Sequence, residues 1–154
     1  MSDTATRVGF YHLTRTTPEA ALPELLGRTL AAGERAVVLC GSADRVATVD
    51  RALWAATTPD WLPHGSARTG HATLQPIWIT DQPECPNGAR YLFLLDGMTA
   101  DAAADGAAWS RVFDLFDGGD DQAVASARAR WTAAKAAGCA LTYWRQTATG
   151  WSKG

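Results

Sequence analysis

The last quarter of the chain holds the side chains whose spacing has the clearest chemical meaning. Arg128, Trp131 and Lys135 are spaced i, i+3 and i+7, so a helix would bring two cations and one aromatic ring onto one face. A guanidinium binds a carboxylate strongly, and an aromatic ring offers an apolar contact beside it. The pattern therefore favours binding of an acidic peptide with an apolar anchor over reaction chemistry.

The residues after this helix predict a strand that would complete the surface. Gly138 is the expected end of the helix, because glycine readily adopts the backbone conformation of a helix C-terminus. In the segment that follows, two sets of side chains alternate, as they would on the two faces of a strand. These sets are Leu141, Tyr143 and Arg145, and Thr142, Trp144 and Gln146.

Composition limits the classes of protein that the chain can represent. Its 154 residues suit one domain, residues 1–154, and the net charge of -2 argues against a protein that binds nucleic acid over its whole surface. No run of 18 apolar residues occurs, and the first ten residues lack the features of a secretory signal. Three widely spaced cysteines fit reduced thiols, and we expect Cys40 and Cys139 to pack in strands. A cytoplasmic protein is expected.

The turns that bind phosphate in nucleotide-binding folds are missing from the sequence. Such turns need glycines, so that backbone N–H groups can approach a pyrophosphate. Residues 14–17 contain no glycine and are followed by Pro18, the next such turn has only Gly41, and no GxxxxGK[ST] motif occurs. We therefore expect no bound cofactor.

Catalytic and metal-binding patterns are equally sparse. His64 and His71 lack the i, i+4 spacing of a helical zinc site and are expected in a surface loop, so no metal is expected. His12 lies in the first predicted strand, where a partly buried, hydrogen-bonded imidazole is the common case. Asp96-Gly97 is typical of a turn. No catalytic residue is assigned, and an enzyme with an atypical site around Asp96 and His12 is kept as the alternative.

Alternating strand-like and helix-like segments predict a mostly parallel sheet with helices on both faces. Thr17 and Ser42 are the expected N-caps of the first two helices, and Pro18 suits the first helical position. The segment 96–106 is compatible with a loop or a short helix. Strands are predicted over 8–13, 35–40, 76–80, 90–95, 109–116 and 141–146, and helices over 18–32, 43–57 and 121–137.

Seven tryptophans are more than one core of this size usually needs, and tryptophan is enriched at contact surfaces. Trp54 closes a predicted helix, and Trp61, Pro63 and His64 follow in a loop. Aromatic side chains in such a loop are plausible partner contacts. The alternative, that Trp54 and Trp61 seal the end of the core, remains open.

Taken together, these segments resemble the chi subunit family of bacterial DNA polymerase III over nearly the whole chain. The matching segments share their order and spacing with the family. They are Phe10-Tyr11-His12-Leu13, Leu53-Trp54, Trp61-Leu62-Pro63-His64, Gln75-Pro76-Ile77, Leu92-Phe93-Leu94-Leu95-Asp96-Gly97, Phe116-Asp117-Gly118, Arg128-x-Arg130-Trp131-x-x-x-Lys135-x-x-Gly138 and Leu141-Thr142-Tyr143-Trp144.

The resemblance implies a Rossmann-like, three-layer α/β/α subunit without catalytic activity of its own. Members of the family bind the acidic, phenylalanine-ended C-terminal tail of single-stranded DNA-binding protein, and many bind the psi subunit that ties them to the clamp loader. DNA would be contacted indirectly, through these partners. By position, the tail site corresponds to Arg128, Trp131, Arg130, Lys135 and Leu141, and the psi or clamp-loader site corresponds to Trp54, Trp61, Pro63 and His64.

Two positions depart from the family pattern. Thr132 stands where a lysine is frequent in the family, and Val124 stands where a basic residue can occur. The tail site here is therefore expected to be less cationic, with affinity lowered or shifted onto Arg130 or Lys135.

Overall fold

The computed structural model describes residues 6–56, 62–103 and 109–154. Within these ranges the helices are α1 Pro18–Ala31, α2 Ala43–Ala55 and α3 Asp121–Ala136, with single 3-10 turns at Ala72–Leu74 and Ala100–Ala102. The strands are β1 Arg7–Leu13, β2 Ala36–Leu39, β3 His64–Ser66, β4 Ile77–Thr80, β5 Tyr91–Leu94, β6 Arg111–Asp117, β7 Ala140–Thr147 and β8 Gly150–Lys153.

All eight of these strands join one sheet in the order β3-β4-β2-β5-β6-β1-β7-β8. Every neighbouring pair is parallel except β7 and β8, which form an antiparallel hairpin. The predicted mostly parallel sheet is confirmed. None of the helices in the described ranges is long and apolar enough to cross a membrane.

The helices divide between the two faces of the sheet, which confirms the three-layer α/β/α architecture. Side chains of α1 and α2, such as Leu22 and Val49, join one buried cluster with alternate residues of the strands. Ala127 of α3 joins a second cluster on the opposite face, with Phe10 and Phe116. The alternation of side chains along each parallel strand supplies both clusters.

The helix ends follow the local sequence. The hydroxyl of Thr17 accepts a hydrogen bond from the backbone N–H of Ala20, and the hydroxyl of Ser42 accepts one from Arg45, each over 3.2 Å. Both predicted N-caps are therefore confirmed. Gly138 has a φ of 83° and, as predicted, follows the end of α3. The segment 96–106 contains one 3-10 turn, and residues 104–106 lie outside the described residues.

Some local predictions are wrong. His64 lies in the buried strand β3 rather than a surface loop, because its backbone pairs with β4 although His-Gly-Ser carries no apolar pattern. His71 is exposed, as expected. Cys40 and Cys139 flank strands instead of lying in them: Cys40 is buried directly after β2, and Cys139 belongs to the turn that ends α3.

A buried ion pair joins α3 to the sheet. All three guanidinium nitrogens of Arg130 donate hydrogen bonds. Nε and Nη2 donate to the carboxylate of Asp114 in β6, over 2.7 and 2.9 Å, and Nη1 donates to Ser126. Asp114 is only 2% exposed. Burial raises the pKa of Asp114, and Arg130 opposes that rise. The pair therefore fixes the rotation of α3 over the strands.

Replacing Arg130 with Gln should destabilise the fold by about 3 kcal/mol or more, because the buried carboxylate loses its charged partner. The pKa of Asp114 should then rise further, so the folded state holds its proton more tightly than the unfolded state does. Stability of the variant should fall as pH rises above the ordinary aspartate pKa, making its deficit smaller near about pH 5 than near about pH 8.

Urea unfolding at both pH values tests this expectation. The matched control is Arg128→Gln, because Arg128 is exposed on the same helix and its loss should change stability by no more than about 0.5 kcal/mol. Equal stability of the two variants would show that the Arg130–Asp114 pair does not hold α3 in place.

Candidate functional site

A pocket opens between α3 and the strands β1, β6 and β7, and we call it the α3 pocket. Its volume is about 170 Å³. It is mostly apolar, and none of the described residues that line it is acidic. The lining residues are Phe10, His12, Phe116, Val124, Ala127, Arg128, Trp131 and Tyr143.

Aromatic rings form the floor and one wall of the α3 pocket. Phe10 of β1 and Trp131 of α3 meet edge to face, with ring centroids 5.2 Å apart. Trp131 also lies edge to face with Tyr143 of β7, at 6.4 Å. Phe10 and Tyr143 are direct partners in the β1–β7 register. The parallel pairing of β1 with β7 therefore places the rings of Phe10 and Tyr143 side by side, where Trp131 of α3 covers them.

His12 lies at one end of the pocket. Its Nδ1 is hydrogen-bonded to the hydroxyl of Tyr143, which confirms the expected hydrogen-bonded imidazole, and its ring packs 5.0 Å from that of Phe116. Burial lowers the pKa of His12, and the nearby charges of Arg145 and Arg128 lower it further. Two guanidinium groups thus create a positive potential at this end of the pocket.

Gly118 makes room for His12. A Cβ atom at this position would lie 2.1 Å from Cδ2 of the imidazole and 2.7 Å from the backbone oxygen of Leu13. The backbone oxygen of Leu13 cannot move aside easily, whereas the His12 ring can rotate. A side chain at position 118 would therefore displace the ring and strain the backbone. The Gly118-Gly119 turn after β6 is therefore part of the construction of the pocket.

The residues predicted for the tail site are only partly brought together. Arg128 and Trp131 line the pocket. Lys135 is exposed one helical turn beyond Trp131. Leu141 is half-buried on the same face of β7 as Tyr143, where it packs against the core under α3 without lining the pocket. Arg130 is directed away from the pocket, into its ion pair with Asp114.

Several residues of the pocket were not identified from the sequence. Phe10, Phe116 and Tyr143 have the pattern of ordinary core positions, and their role depends on strands that are far apart in the chain. The alternating pattern predicts that Arg145 lies in a strand but gives it no role in a site. Its register partner is His12 of β1, which is the observation that connects its charge to the pocket.

Trp54, Pro63 and His64, which were predicted to belong to a second contact surface, lie at the opposite end of the sheet. Trp54 is 71% exposed, and its ring centroid is 4.8 Å from that of His64. His64 itself is buried, with Nδ1 at 2.7 Å from the oxygen of Leu62 and Nε2 at 3.2 Å from Asp50, without hydrogen-bond geometry to that carboxylate. The buried His64 ring therefore packs against the inner side of the exposed Trp54 ring.

Pro63 and Leu74 precede β3 and β4 respectively, the two strands at this end of the sheet. Pro63 is half-buried beside β3. Trp61 lies outside the described residues. Leu74, which the sequence did not single out, is 71% exposed in the 3-10 turn that precedes β4. We call the exposed side chains Trp54 and Leu74, with Pro63, the β3-end surface.

Of the two residues on which the alternative catalytic site was centred, His12 is hydrogen-bonded to Tyr143 and Asp96 is engaged by its neighbours. The carboxylate of Asp96 accepts hydrogen bonds from the backbone of Gly41 and from Arg45, each over 2.9 Å, and Arg45 also binds Glu19. Burial raises the pKa of the Cys40 thiol to about 12. Within the described ranges no cluster of three or more His, Cys, Asp or Glu side chains is arranged to hold a metal ion.

Replacing Arg145 with Gln should raise the pKa of His12, because one of the two positive charges that disfavour the imidazolium is removed. An NMR titration of the His12 ring protons measures this pKa directly. Arg51→Gln, on α2 at the other face of the sheet, should leave it unchanged. A pKa of His12 that is the same in both variants would show that Arg145 does not act on the pocket.

Comparison with known proteins identifies the family. The family model described as the DNA polymerase III chi subunit, HolC, matches residues 5–142. This range includes the β3-end surface and every residue that lines the α3 pocket except Tyr143. No curated protein sequence gives a significant match. The resemblance inferred from the sequence motifs is confirmed. The chain belongs to the DNA polymerase III chi subunit family, whose members are accessory subunits of the replicative DNA polymerase.

Proposed function

We propose that this subunit binds the acidic, phenylalanine-ended C-terminal tail of single-stranded DNA-binding protein in the α3 pocket, and links that protein to the clamp loader. The observation that carries the proposal is an apolar, aromatic pocket of about 170 Å³ with Arg128 at its rim and no acidic residue in its lining. Membership of the chi family supplies the identity of the partner.

The apolar part of the pocket suits the terminal ring of such a tail. Phe10, Trp131 and Tyr143 present ring edges and faces to the space between them, and aromatic pairs favour such offset and edge-to-face contacts. Val124 and Ala127 complete the wall on α3. A phenylalanine side chain inserted here would be removed from water while its carboxylate remained near the rim.

The charged part of the pocket suits the carboxylates. Arg128 is exposed at the rim, and its guanidinium offers two parallel N–H donors to a carboxylate. Arg145 acts on the same end of the pocket, as the lowered pKa of His12 reflects. Lys135, one turn further along α3, is available to acidic residues that precede the terminal phenylalanine.

The departures from the family pattern reduce the charge of this site. Thr132 is uncharged, so this position contributes no cation. Its hydroxyl donates to the backbone oxygen of Arg128 within the helix. Val124 is part of the apolar wall. Because Arg130 is held by Asp114, Arg128, Arg145 and Lys135 are the cations on which we base the proposal.

We further propose that the β3-end surface binds psi or another clamp-loader component. Trp54 and Leu74 are the large apolar side chains most exposed to solvent among the described residues, and tryptophan is frequent at the centre of interfaces. The strands β3 and β1 are five positions apart in the sheet, or about 24 Å at the usual strand spacing. Both partners therefore have room to bind at the same time.

The proposed role is that of an adaptor without catalytic activity of its own, acting on DNA through its partners in the cytoplasm at the replication fork. Support comes from the engaged state of Asp96 and the protonated Cys40 thiol, and from strand-to-helix turns that lack a phosphate-binding glycine pattern.

Arg128→Ala should weaken binding of a tail peptide by about tenfold to a hundredfold, because a hydrogen bond to a charged group contributes about 1.5 to 3 kcal/mol. Trp131→Ala should weaken it by a similar factor through loss of the apolar wall. Isothermal titration calorimetry with the full chain and a synthetic tail peptide measures both, and a thermal melt reports whether the variants fold.

The matched control is Arg51→Ala, which removes an exposed arginine from the other face of the sheet. It should bind the tail peptide as the parent chain does. Raising the salt concentration should weaken the parent more than Arg128→Ala, because only the charged contact is screened. A folded Arg128→Ala variant that binds the peptide normally would disprove the assignment of the α3 pocket.

Trp54→Ala should weaken attachment to psi or the clamp loader while leaving tail binding unchanged. The reason is that Trp54 is exposed at the far end of the sheet from α3, whereas His64→Ala would disturb the buried contacts beneath it. Pull-down with purified clamp-loader components tests attachment, with Arg128→Ala as the reciprocal control. Normal attachment of both Trp54→Ala and Leu74→Asp would exclude the β3-end surface.

A further inference from the structure

A second aromatic pocket lies on the opposite face of the sheet from α3, and we call it the aromatic groove. Five rings from five different strands line it: Tyr11, Tyr91, Phe113, Trp144 and Trp151. The C-terminal half of α1 forms the other wall. The volume of the groove is about 190 Å³, similar to that of the α3 pocket.

The groove exists because two helices cannot cover one face of an eight-stranded sheet. Eight strands span about 34 Å at the usual spacing, whereas two packed helices span about 20 Å. α1 and α2 pack on this face, and β7 and β8 stand at its far edge. Trp144 and Trp151 on these two strands are therefore left half-buried, beside rather than beneath α1.

The rings that line the groove are packed against each other, so each ring is held in position by its neighbours. Tyr11 stacks on Phe113 at 5.7 Å and meets Trp151 edge to face at 5.2 Å. Trp144 lies parallel to Tyr11 at 6.3 Å, and its indole N–H donates to Thr142. A preformed site binds with a smaller loss of conformational entropy than one that must be ordered.

Two guanidinium groups border the groove. Arg111 stacks on Phe113 and Tyr91, with its central carbon 4.7 and 5.6 Å from the ring centroids. Arg28 on α1 is bonded to Glu24 and is largely exposed. None of the described residues that line the groove is acidic. Burial raises the pKa of Tyr11, and both arginines oppose that rise, which places their positive potential inside the groove.

We propose that the aromatic groove is a second peptide-binding site, which takes an aromatic or large aliphatic side chain with a carboxylate beside it from a protein partner. Stacking on two rings orients the face of the Arg111 guanidinium, while its edge N–H groups remain able to bind a carboxylate. The groove is a single pocket bordered by Arg111 and by Arg28, whose charge is shared with Glu24. Single-stranded nucleic acid instead requires a cationic track with successive stacking positions.

The site is independent of the α3 pocket, because alternate residues of β1 serve the two. Phe10 and His12 line the α3 pocket, and Tyr11 lines the groove. One molecule with acidic-peptide sites on opposite faces can hold two segments of a partner together. Two linked sites bind more tightly than either alone when the linker spans them.

The test follows the indole N–H signals of the full 15N-labelled chain by NMR. The probe is the tripeptide N-acetyl-Asp-Asp-Phe with a free C-terminal carboxylate. Trp144 and Trp151 report on the groove, and Trp131 reports on the α3 pocket. Saturable shifts of the Trp144 and Trp151 signals are expected, and the same tripeptide with a C-terminal amide should bind the groove about tenfold more weakly.

Three variants separate the sites. Arg111→Gln should weaken the response of Trp144 and Trp151 by about tenfold and leave that of Trp131 unchanged, and Arg28→Gln, at an exposed position, repeats this test if Arg111→Gln does not fold. Arg128→Ala should do the reverse. If the proposed tail site is wrong, only the Trp131 signal will fail to respond to the tripeptide, and the Trp144 and Trp151 signals will still test the groove.

The proposal is overturned if only Trp131 responds, or if the acid and the amide bind the groove equally well. It is also overturned if a short oligothymidylate shifts the Trp144 and Trp151 signals and displaces the tripeptide, since the groove would then be a nucleic-acid site.

Discussion

Strand β1 is the constraint on which both proposed binding sites depend. It is the one strand that pairs with β6 on one side and with β7 on the other, so it joins the parallel core of the sheet to the hairpin at its edge. Its alternating side chains supply Phe10 and His12 to the α3 pocket and Tyr11 to the aromatic groove. A shift of one residue in its register would exchange these faces. Both pockets therefore depend on the same hydrogen-bonded ladder.

The orientation of α3 determines which of its two arginines is exposed at the α3 pocket. Arg128 and Arg130 are two residues apart, so they project about 200° apart around a helix. Arg130 is buried in its pair with Asp114, and Arg128 is exposed at the pocket rim. The structural role of one arginine thus makes the other available. Ser126, one turn earlier on the same helix, accepts a hydrogen bond from Arg130 and so helps to orient its guanidinium towards Asp114.

The sequence predicted those elements that have a strong local signal. Thr17 and Ser42 marked the starts of α1 and α2, and Gly138 marked the end of α3, because caps act within one helical turn. β3 was missed because its three residues carry no apolar alternation, and β8 because a four-residue edge strand is defined mainly by its partner. The burial of His64 depends on packing around a strand that the local pattern did not reveal.

The candidate site was predicted only on its helical side. The spacing of Arg128 and Trp131 on one helix face is a local property, and both residues line the α3 pocket. The strand side is not local: His12 and Tyr143 are 131 residues apart in the chain and are hydrogen-bonded in the pocket. Arg130 was assigned to the tail site for the same reason: its actual partner, the carboxylate of Asp114, lies 16 residues earlier in β6 and is not part of the local helical pattern.

The chemistry of the α3 pocket divides between contacts that salt screens and contacts that it does not. Replacement of cations by Thr132 and Val124 removes long-range attraction, which fades over about 8 Å at physiological ionic strength. Val124 adds an apolar wall in exchange, and burial of apolar area is not weakened by moderate salt. In the proposed tail site, a terminal aromatic ring would therefore contribute a larger share of the binding free energy than it would in a more cationic site. Because Arg145 and Arg128 both act at the His12 end of the pocket, the remaining electrostatic attraction is concentrated where a terminal carboxylate would lie.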